Sequence, residues 1–235
     1  MESQLLHDFG TEKQILFDDA LVADNRGFHL TMNPAVRAEQ PAVVADRPWE
    51  AGGASQPSVA ACADDRHRMW YYSTEGRGGS QLLCYAESAD GVEWEKPDLG
   101  VCEYEGSTKN NIAARGIHAG VFEDPHDVPE RRYKLIGSDG TKWGVTSVNC
   151  GGARFRYFKG ELETWEYQGI IGAHSPDGIH WTKYDRPIMP WYTDTHNVAF
   201  WDDRIGRYVA YVRWNDHLHV NEEGRQVGSF DYRSI

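Results

Sequence analysis

The chain has 235 residues, 40% of them hydrophobic and 26% charged, which is typical of a globular protein able to bury a substantial core. Its formal net charge of -12 repels phosphate backbones and anionic bilayers, which argues against nucleic acid and membrane surfaces as partners. No stretch has the length of a signal-peptide core or a membrane span, so the sequence predicts a soluble, cytoplasmic protein.

Three segments in chain order have the pattern of a strand, a tight polar turn and a second strand: residues 57–73, 118–137 and 196–213. Each turn contains a central aspartate: Asp65, Asp124 or Asp203. A third apolar strand is predicted after the first two hairpins, at residues 81–88 and 169–175. Residues 224–235 resemble the start of a third strand after the last hairpin.

The first two of these third strands lead into similar turns, SADGVEW (88–94) and SPDGIHW (175–181). The shared positions are Ser88 and Ser175, Asp90 and Asp177, Gly91 and Gly178, and Trp94 and Trp181. We expect the aspartates to accept backbone hydrogen bonds, the glycines to adopt positive φ and the tryptophans to pack onto a neighbouring sheet. The repeat is therefore predicted to be scaffolding and not a working site.

The repeating unit is predicted to be a four-stranded antiparallel meander, the form of a propeller blade. The predicted boundaries are an N-terminal segment at 1–56, blade one at 57–110, blade two at 111–190 and an incomplete blade three at 191–235. Blade two contains an insert at 138–168, which either overhangs the binding funnel or packs against a partner domain.

The ordered segments resemble a known superfamily. They are RMWYYS, LLCYAESADGVEWEKPDLG, EYEGSTKNN, ERRYKLIG, GAHSPDGIHWTKY and HNVAFWDDRIGRYVAYVR. From about Leu16 onward the chain is similar to the five-bladed β-propeller glycoside hydrolases, including families 32, 43 and 117 and uncharacterised bacterial relatives. This resemblance implies an all-β, five-bladed propeller with about two and a half blades in this chain. We therefore expect a fragment whose missing blades come from the rest of a longer chain or from self-association.

The resemblance also implies a carbohydrate substrate and a glycoside hydrolase that cleaves a glycan or oligosaccharide by carboxylate chemistry in a central funnel. A non-catalytic carbohydrate-binding propeller and a structural or interaction propeller are the alternatives. In such propellers the substrate meets residues at the starts of the innermost strands, which correspond here to 48–58, 114–120 and 191–197.

Glu50 and Asp194 are the carboxylates in those three segments and are the predicted catalytic acids. A solvated loop acid is the alternative for Glu50, and a turn or cap residue is the alternative for Asp194. The Arg-Asp-Pro motif that the superfamily has at the start of blade two is absent, and His118 stands at its acid position. His118 is therefore a third catalytic candidate, and His196, at the matching place in blade three, a candidate for substrate binding.

Four further residues beside these strand starts are predicted to bind substrate: Arg115, Trp49, Trp191 and Tyr192. Arginine grips carboxylates or hydroxyls, and flat aromatic rings stack on sugars. A surface salt bridge and inter-blade packing are the structural alternatives. The histidines are alternatively held by backbone groups at strand ends, and Asp124 is rejected as catalytic because it falls at a hairpin tip.

The four cysteines, Cys62, Cys84, Cys102 and Cys150, form no CxxC pair and no zinc-binding spacing with histidine. Reduced and mostly buried thiols are expected. No metal and no other cofactor is expected, because no spacing supports a metal site at His118, Asp194 and His196.

Overall fold

The computed structural model describes residues 22, 24, 26, 27, 29, 31–62, 64–139, 142–144, 166–168, 170–189 and 196–212. The chain divides into two compact units, Met1–Gln40 and Pro41–Ile235. The described residues of the first unit form no helix or strand, and within it Arg26 lies 3.2 Å from Asp24 in an exposed ion pair. All the strands of the described residues lie in the second unit.

The first sheet of the second unit follows a short 3₁₀ helix, Pro48–Glu50. Its strands are β1 (Ser55–Ala61), β2 (His67–Thr74), β3 (Gln81–Ser88) and β4 (Ile112–Arg115), paired antiparallel in that order. The predicted hairpin and third strand are confirmed. Because β4 pairs with β3, the first sheet extends past the predicted blade boundary at residue 110.

The second sheet repeats this plan, with an insertion. Its strands are β5 (His118–Glu123), β6 (Tyr133–Ser138), β9 (Ile171–Ser175) and β10 (Thr182–Lys183), with a 3₁₀ helix at Pro129–Arg131 between β5 and β6. Between β6 and β9, β7 (Lys142–Gly144) pairs antiparallel with β8 (Glu166–Gln168) inside the predicted insert. The third repeat is the hairpin of β11 (Val198–Asp202) and β12 (Arg207–Tyr211).

The all-β class and the antiparallel pairing are confirmed. In the described part of the chain, no helix combines the length and the apolar character that crossing a membrane requires. Cys62 and Cys84 are buried free thiols and Cys102 is a half-buried one, as expected, whereas Cys150 lies outside the described residues.

Side chains alternate between the two faces of each sheet, as the period of a strand requires. In β2, Trp70 faces the second sheet and packs against Tyr85 and Tyr133, with ring centroids 5.7 Å and 5.5 Å away. Its neighbours Met69 and Tyr71 belong to a separate cluster on the other face of the first sheet. A third cluster joins the second sheet to the β11–β12 hairpin.

The repeated turns are built as the sequence predicts. The Asp90 carboxylate accepts hydrogen bonds from Val92 N and Glu93 N at 2.8 and 2.9 Å, and Asp177 accepts the equivalent pair, both at 2.8 Å. Gly91 and Gly178 have φ values of 75° and 78°. These bonds satisfy turn backbone groups, so the predicted geometry of the turns is confirmed and it supports the scaffolding interpretation.

The turn of the second sheet also docks on the first sheet. Trp70 Nε1 donates a 2.7 Å hydrogen bond to the carbonyl oxygen of Gly178. Trp181 packs against the cluster between the two sheets, as expected, whereas Trp94 packs against the cluster on the far face of its own sheet.

The first strands of the three repeats are neighbours. β5 contacts both β1 and β11. The starts of these strands therefore form one region. The sequence predicts the site residues at this region.

Candidate functional site

The start of β1 is irregular. Its pairing with β2 shifts between Ser55 and Ser58, and Gln56 has a φ of 51°, a left-handed value that is uncommon for a residue with a Cβ. Such bulges redirect side chains and are frequent beside functional sites. The bulge places Gln56 against the start of β5.

His118 begins β5 and is 6% exposed. Its Nε2 is hydrogen-bonded to Gln56 Oε1, and because a carboxamide oxygen only accepts, the imidazole is the donor in this pair. The His118 ring also lies 4.3 Å from the Tyr72 ring, tilted by 36°. These contacts orient the imidazole from two sides.

His196 precedes β11 and meets the same strand. Its Nε2 lies 3.4 Å from Ser58 Oγ, which also accepts a 3.0 Å hydrogen bond from Val121 N. Its Nδ1 is buried and has no hydrogen-bond partner in the described part of the chain. Burial lowers the pKa of His196 from 6.5, so its imidazole is neutral at neutral pH.

We call Gln56, Ser58, Tyr72, His118 and His196 the histidine-pair site. Two imidazoles, an amide and a hydroxyl offer both donors and acceptors, which suits the hydroxyl groups of a polar ligand. No group of three or more His, Cys, Asp or Glu side chains among the described residues is arranged to hold a metal ion.

Glu50 lies elsewhere, in a buried ion pair. It is 2% exposed, so the alternative of a solvated loop acid is wrong. Glu50 Oε2 is 2.7 Å from Lys96 Nζ and accepts hydrogen bonds from Asp46 N and Arg47 N at 3.1 and 3.2 Å, while Glu50 Oε1 accepts from the Tyr71 hydroxyl. These contacts favour a structural role, and the catalytic role of Glu50 stays a prediction.

Trp49 belongs to the same network as Glu50. Its Nε1 donates a 2.8 Å hydrogen bond to Asn111 Oδ1, and its ring packs edge-on against Tyr104 at 5.6 Å. Asn111 Nδ2 in turn donates to the Tyr71 hydroxyl at 2.7 Å. Tyr71 and Tyr72 are consecutive residues of β2 and point to opposite faces of the first sheet. The structure therefore places Glu50 and Trp49 on one face and His118 on the other.

Arg115 ends β4 instead of leading into β5. Its guanidinium forms an ion pair with Glu75 and donates a 3.1 Å hydrogen bond to the Glu103 carbonyl oxygen, with 45% of the side chain exposed. This is the surface salt bridge that was the alternative to ligand binding. Asp124, rejected as catalytic, is buried just after β5, at the opposite end of that strand from His118.

Asp194, Trp191 and Tyr192 lie outside the described residues, so their predicted roles stay predictions. Gln56, Ser58 and Tyr72 were missed by the sequence reasoning. Pro57, the first residue of the predicted segment 57–73, was an available signal, because proline is confined to edge strands, strand starts and bulges. No signal in the sequence linked Tyr72 to His118.

Comparisons with known proteins add one structural likeness. No protein-family model matches the chain, and no curated protein matches it. A solved structure described as a BT0996 RGII complex matches with 16% sequence identity and a TM-score of 0.40, over 73% of this chain and 51% of the matched one. This chain therefore spans about half the length of that structure. Membership of the propeller superfamily stays a prediction.

Proposed function

We propose that this chain is part of a carbohydrate-active β-propeller in which the histidine-pair site binds a glycan. One observation carries the proposal: His118 and His196, from the starts of two successive repeats, meet the same bulged segment of β1 at Gln56 and Ser58. Side chains that converge from separate strands at one end of a fold are the usual form of a ligand site.

The propeller interpretation is supported by how the repeats adjoin. Each complete sheet is an antiparallel meander, and the first strand of the second sheet contacts the first strands of both neighbouring repeats. Apolar layers join the first sheet to the second and the second sheet to the third hairpin. Blades of a propeller pack in this way around the starts of their innermost strands.

Within this proposal, the chain is a glycoside hydrolase and Asp194, two residues before His196, supplies a carboxylate. Glycosidic cleavage requires one group that protonates the leaving oxygen and a second that acts as nucleophile or activates water. His118 donates from Nε2 in its contact with Gln56, and in its imidazolium form it is the proposed proton donor to the leaving group. Neutral His196 accepts from or donates to a sugar hydroxyl.

A non-catalytic carbohydrate-binding propeller is the second candidate, and the position of Glu50 favours it. The Glu50 carboxylate is bound by Lys96 and Tyr71, and it lies on the opposite face of the first sheet from His118. Without Glu50, the site retains the hydrogen-bonding groups needed to bind a glycan. It lacks one of the two carboxyl groups that glycoside hydrolysis uses.

Hydrolysis and binding of a panel of neutral and acidic glycans separate the two candidates. For a hydrolase, Asp194→Asn lowers turnover by about 10³-fold or more while the glycan still binds, because it removes a charge at nearly constant shape. His118→Gln also lowers turnover and changes its pH profile. For a binding module, no glycan is cleaved and His118→Gln or His196→Gln weakens binding.

His29→Gln is the matched control, because His29 is exposed in the first unit. Thermal melts of each variant normalise the results to folded protein. The proposal fails if no glycan is bound or cleaved. It also fails if Asp194→Asn, His118→Gln and His196→Gln all behave like the control.

A further inference from the structure

The second strands of the second and third repeats each have a tyrosine within their first two residues, Tyr133 and Tyr208, that contacts the preceding repeat. Backbone pairing defines the equivalent positions: Cys62 N donates to Arg66 O, and Asp124 N donates to Arg132 O, just before His67 and Tyr133 respectively. Cys62 and Asp124 are therefore equivalent, as are Arg68 and Lys134. The two interfaces between repeats are directly comparable.

At the second interface a carboxylate joins the repeats. The Tyr208 hydroxyl donates a 2.5 Å hydrogen bond to Asp124 Oδ2, and Lys134 Nζ lies 2.6 Å from the same oxygen. Lys134 Nζ is also 5.5 Å from the centroid of the Tyr208 ring. Asp124 is fully buried, and the cation and the phenol both bind its carboxylate.

At the first interface the cation and the phenol are present, but no carboxylate stands at the position of Asp124, and the cation pairs instead with Asp64 from the turn at 2.6 Å. Arg68 Nη1 donates a 3.1 Å hydrogen bond to the Tyr133 hydroxyl and its guanidinium lies 6.0 Å from the ring centroid. Cys62 stands at the position of Asp124, with its Sγ 3.4 Å from the Tyr133 hydroxyl. Arg68 is turned towards Asp64, whose side chain is 48% exposed.

An open cleft of about 390 Å³ lies at this first interface. It is lined by Cys62, Asp64, Arg68, Arg132, Tyr133 and Asp177. Its volume lies within the range of small-molecule sites. Two guanidinium groups and a phenol provide donors at its wall, beside the carboxylates of Asp64, which pairs with Arg68, and Asp177. Arg132 uses Nε and Nη2 on Glu123, which leaves Nη1 for another acceptor.

We propose that this cleft binds the carboxylate of a small organic acid or an acidic monosaccharide. The ligand carboxylate occupies the position that Asp124 has at the second interface and accepts hydrogen bonds from Arg68 and the Tyr133 hydroxyl. Charge-assisted bonds of guanidinium to carboxylate are the strong ones in proteins. The cleft is roughly 13 to 20 Å from the histidine-pair site along β1, counted from Ser58 and Gln56 to Cys62, so this inference is independent of the proposed function.

Titration of the chain at low ionic strength with glucuronate, acetate and glucose tests the proposal, with binding followed by calorimetry and by the NMR signals of the arginine side chains. We expect glucuronate and acetate to bind saturably and to shift the Arg68 signals, whereas glucose does neither. Stronger binding of glucuronate than of acetate identifies an acidic sugar as the ligand, and equal binding identifies a free carboxylic acid.

Substitution of Cys62 provides the most specific variant. Cys62→Asp places a carboxylate in the position that the ligand would fill, so we expect loss of glucuronate and acetate binding by tenfold or more. Cys62→Ser, which adds no charge, retains binding. Thermal melts verify folding, and the aspartate variant is expected to remain folded because Arg68 and Tyr133 pair with it as Lys134 and Tyr208 pair with Asp124.

Arginine variants complete the test. Arg68→Gln is expected to weaken acid binding by about tenfold, because a bond to a charged group is lost. Arg186→Gln, at an exposed position that does not line the cleft, serves as the control. If Arg68→Gln does not fold, Arg132→Gln replaces it with the same expected direction. The proposal is overturned if neither acid binds saturably, or if Cys62→Asp binds both acids as the unmodified chain does.

Discussion

The Glu50 carboxylate is paired with a cation in a place that water does not reach. Its side chain is 0% exposed and that of Lys96 only 9%, with 2.7 Å between Oε2 and Nζ. A buried pair of this kind contributes little net stability against an apolar substitute, but breaking it leaves one charge without compensation.

Lys96→Met is therefore expected to lower the free energy of unfolding by about 3 to 5 kcal/mol, because it leaves Glu50 buried and unpaired. The double variant Glu50→Gln with Lys96→Met should be less destabilised than the single one. Urea denaturation measures both, with the exposed Lys109→Met as the control. A loss below about 1 kcal/mol for Lys96→Met would contradict the structural role.

His196 makes stability depend on pH. Its pKa in the folded chain is lowered by burial, while the unfolded chain titrates near 6.5. As the pH falls below 6.5, the unfolded state takes up a proton before the folded state does, so stability is lost as the pH falls through the lowered pKa. His196→Gln should reduce the change of the urea midpoint between pH 7 and about pH 5, whereas His29→Gln should leave that change as it is. If the urea midpoint of His196→Gln changes with pH as that of the unmodified chain does, groups other than His196 determine the pH dependence of stability.

At the scale of the elements, the two repeated turns have the same backbone conformation but pack against different residues. A Cβ added at Gly178 would lie 2.3 Å from Trp70 Cζ2, whereas one added at Gly91 would lie 3.6 Å from His67 Cδ2, an ordinary contact. Trp70 is 1% exposed and cannot readily move. The turn of the second sheet is thus also a joint between sheets.

Alanine at each glycine separates backbone strain from packing. Gly91→Ala should cost about 1 to 2 kcal/mol, because its φ of 75° disfavours a Cβ. Gly178→Ala has the same strain and should cost a further 1 to 3 kcal/mol, roughly, from the clash with Trp70. Chemical denaturation of the pair gives the comparison. Equal losses of unfolding free energy would mean that the turn at Gly178 shifts to accommodate the Cβ without disturbing Trp70.

At the scale of the whole second unit, stability is shared across interfaces between repeats. Apolar clusters provide most of the contact between sheets, and the tyrosine contacts at both interfaces add polar links between residues distant in the chain. The β11–β12 hairpin depends on such contacts more than the four-stranded sheets do, because an isolated two-stranded hairpin is marginally stable in water.

Tyr208→Phe tests the link to the hairpin. It removes the hydroxyl that donates to the buried Asp124, so we expect a loss of about 1 to 3 kcal/mol and faster hydrogen exchange in β11 and β12. Tyr211→Phe, on the same strand and 54% exposed against 50% for Tyr208, leaves the hydroxyl that donates to Asp124 in place and should have little effect. If the two variants behave alike, the Asp124 cluster does not hold the hairpin.

The sequence by itself determined the strands, the hairpins and the repeated Ser-Asp-Gly turns, because these depend on a period of two residues and on the turn chemistry of a few neighbours. It also identified His118 and His196 as candidates from their places in the repeats. These features are local, so a linear pattern contains them.

The tertiary structure alone decided which side chains meet. Glu50 stands in a polar loop sequence, yet its partners Tyr71 and Lys96 come from 21 and 46 residues away and remove it from solvent. Ser58 and His196 are 138 residues apart and meet only because β1 and β5 pack together at their starts, next to β11. The direction of a side chain follows from its strand, but its partner is set by the packing of sheets, which no local period encodes.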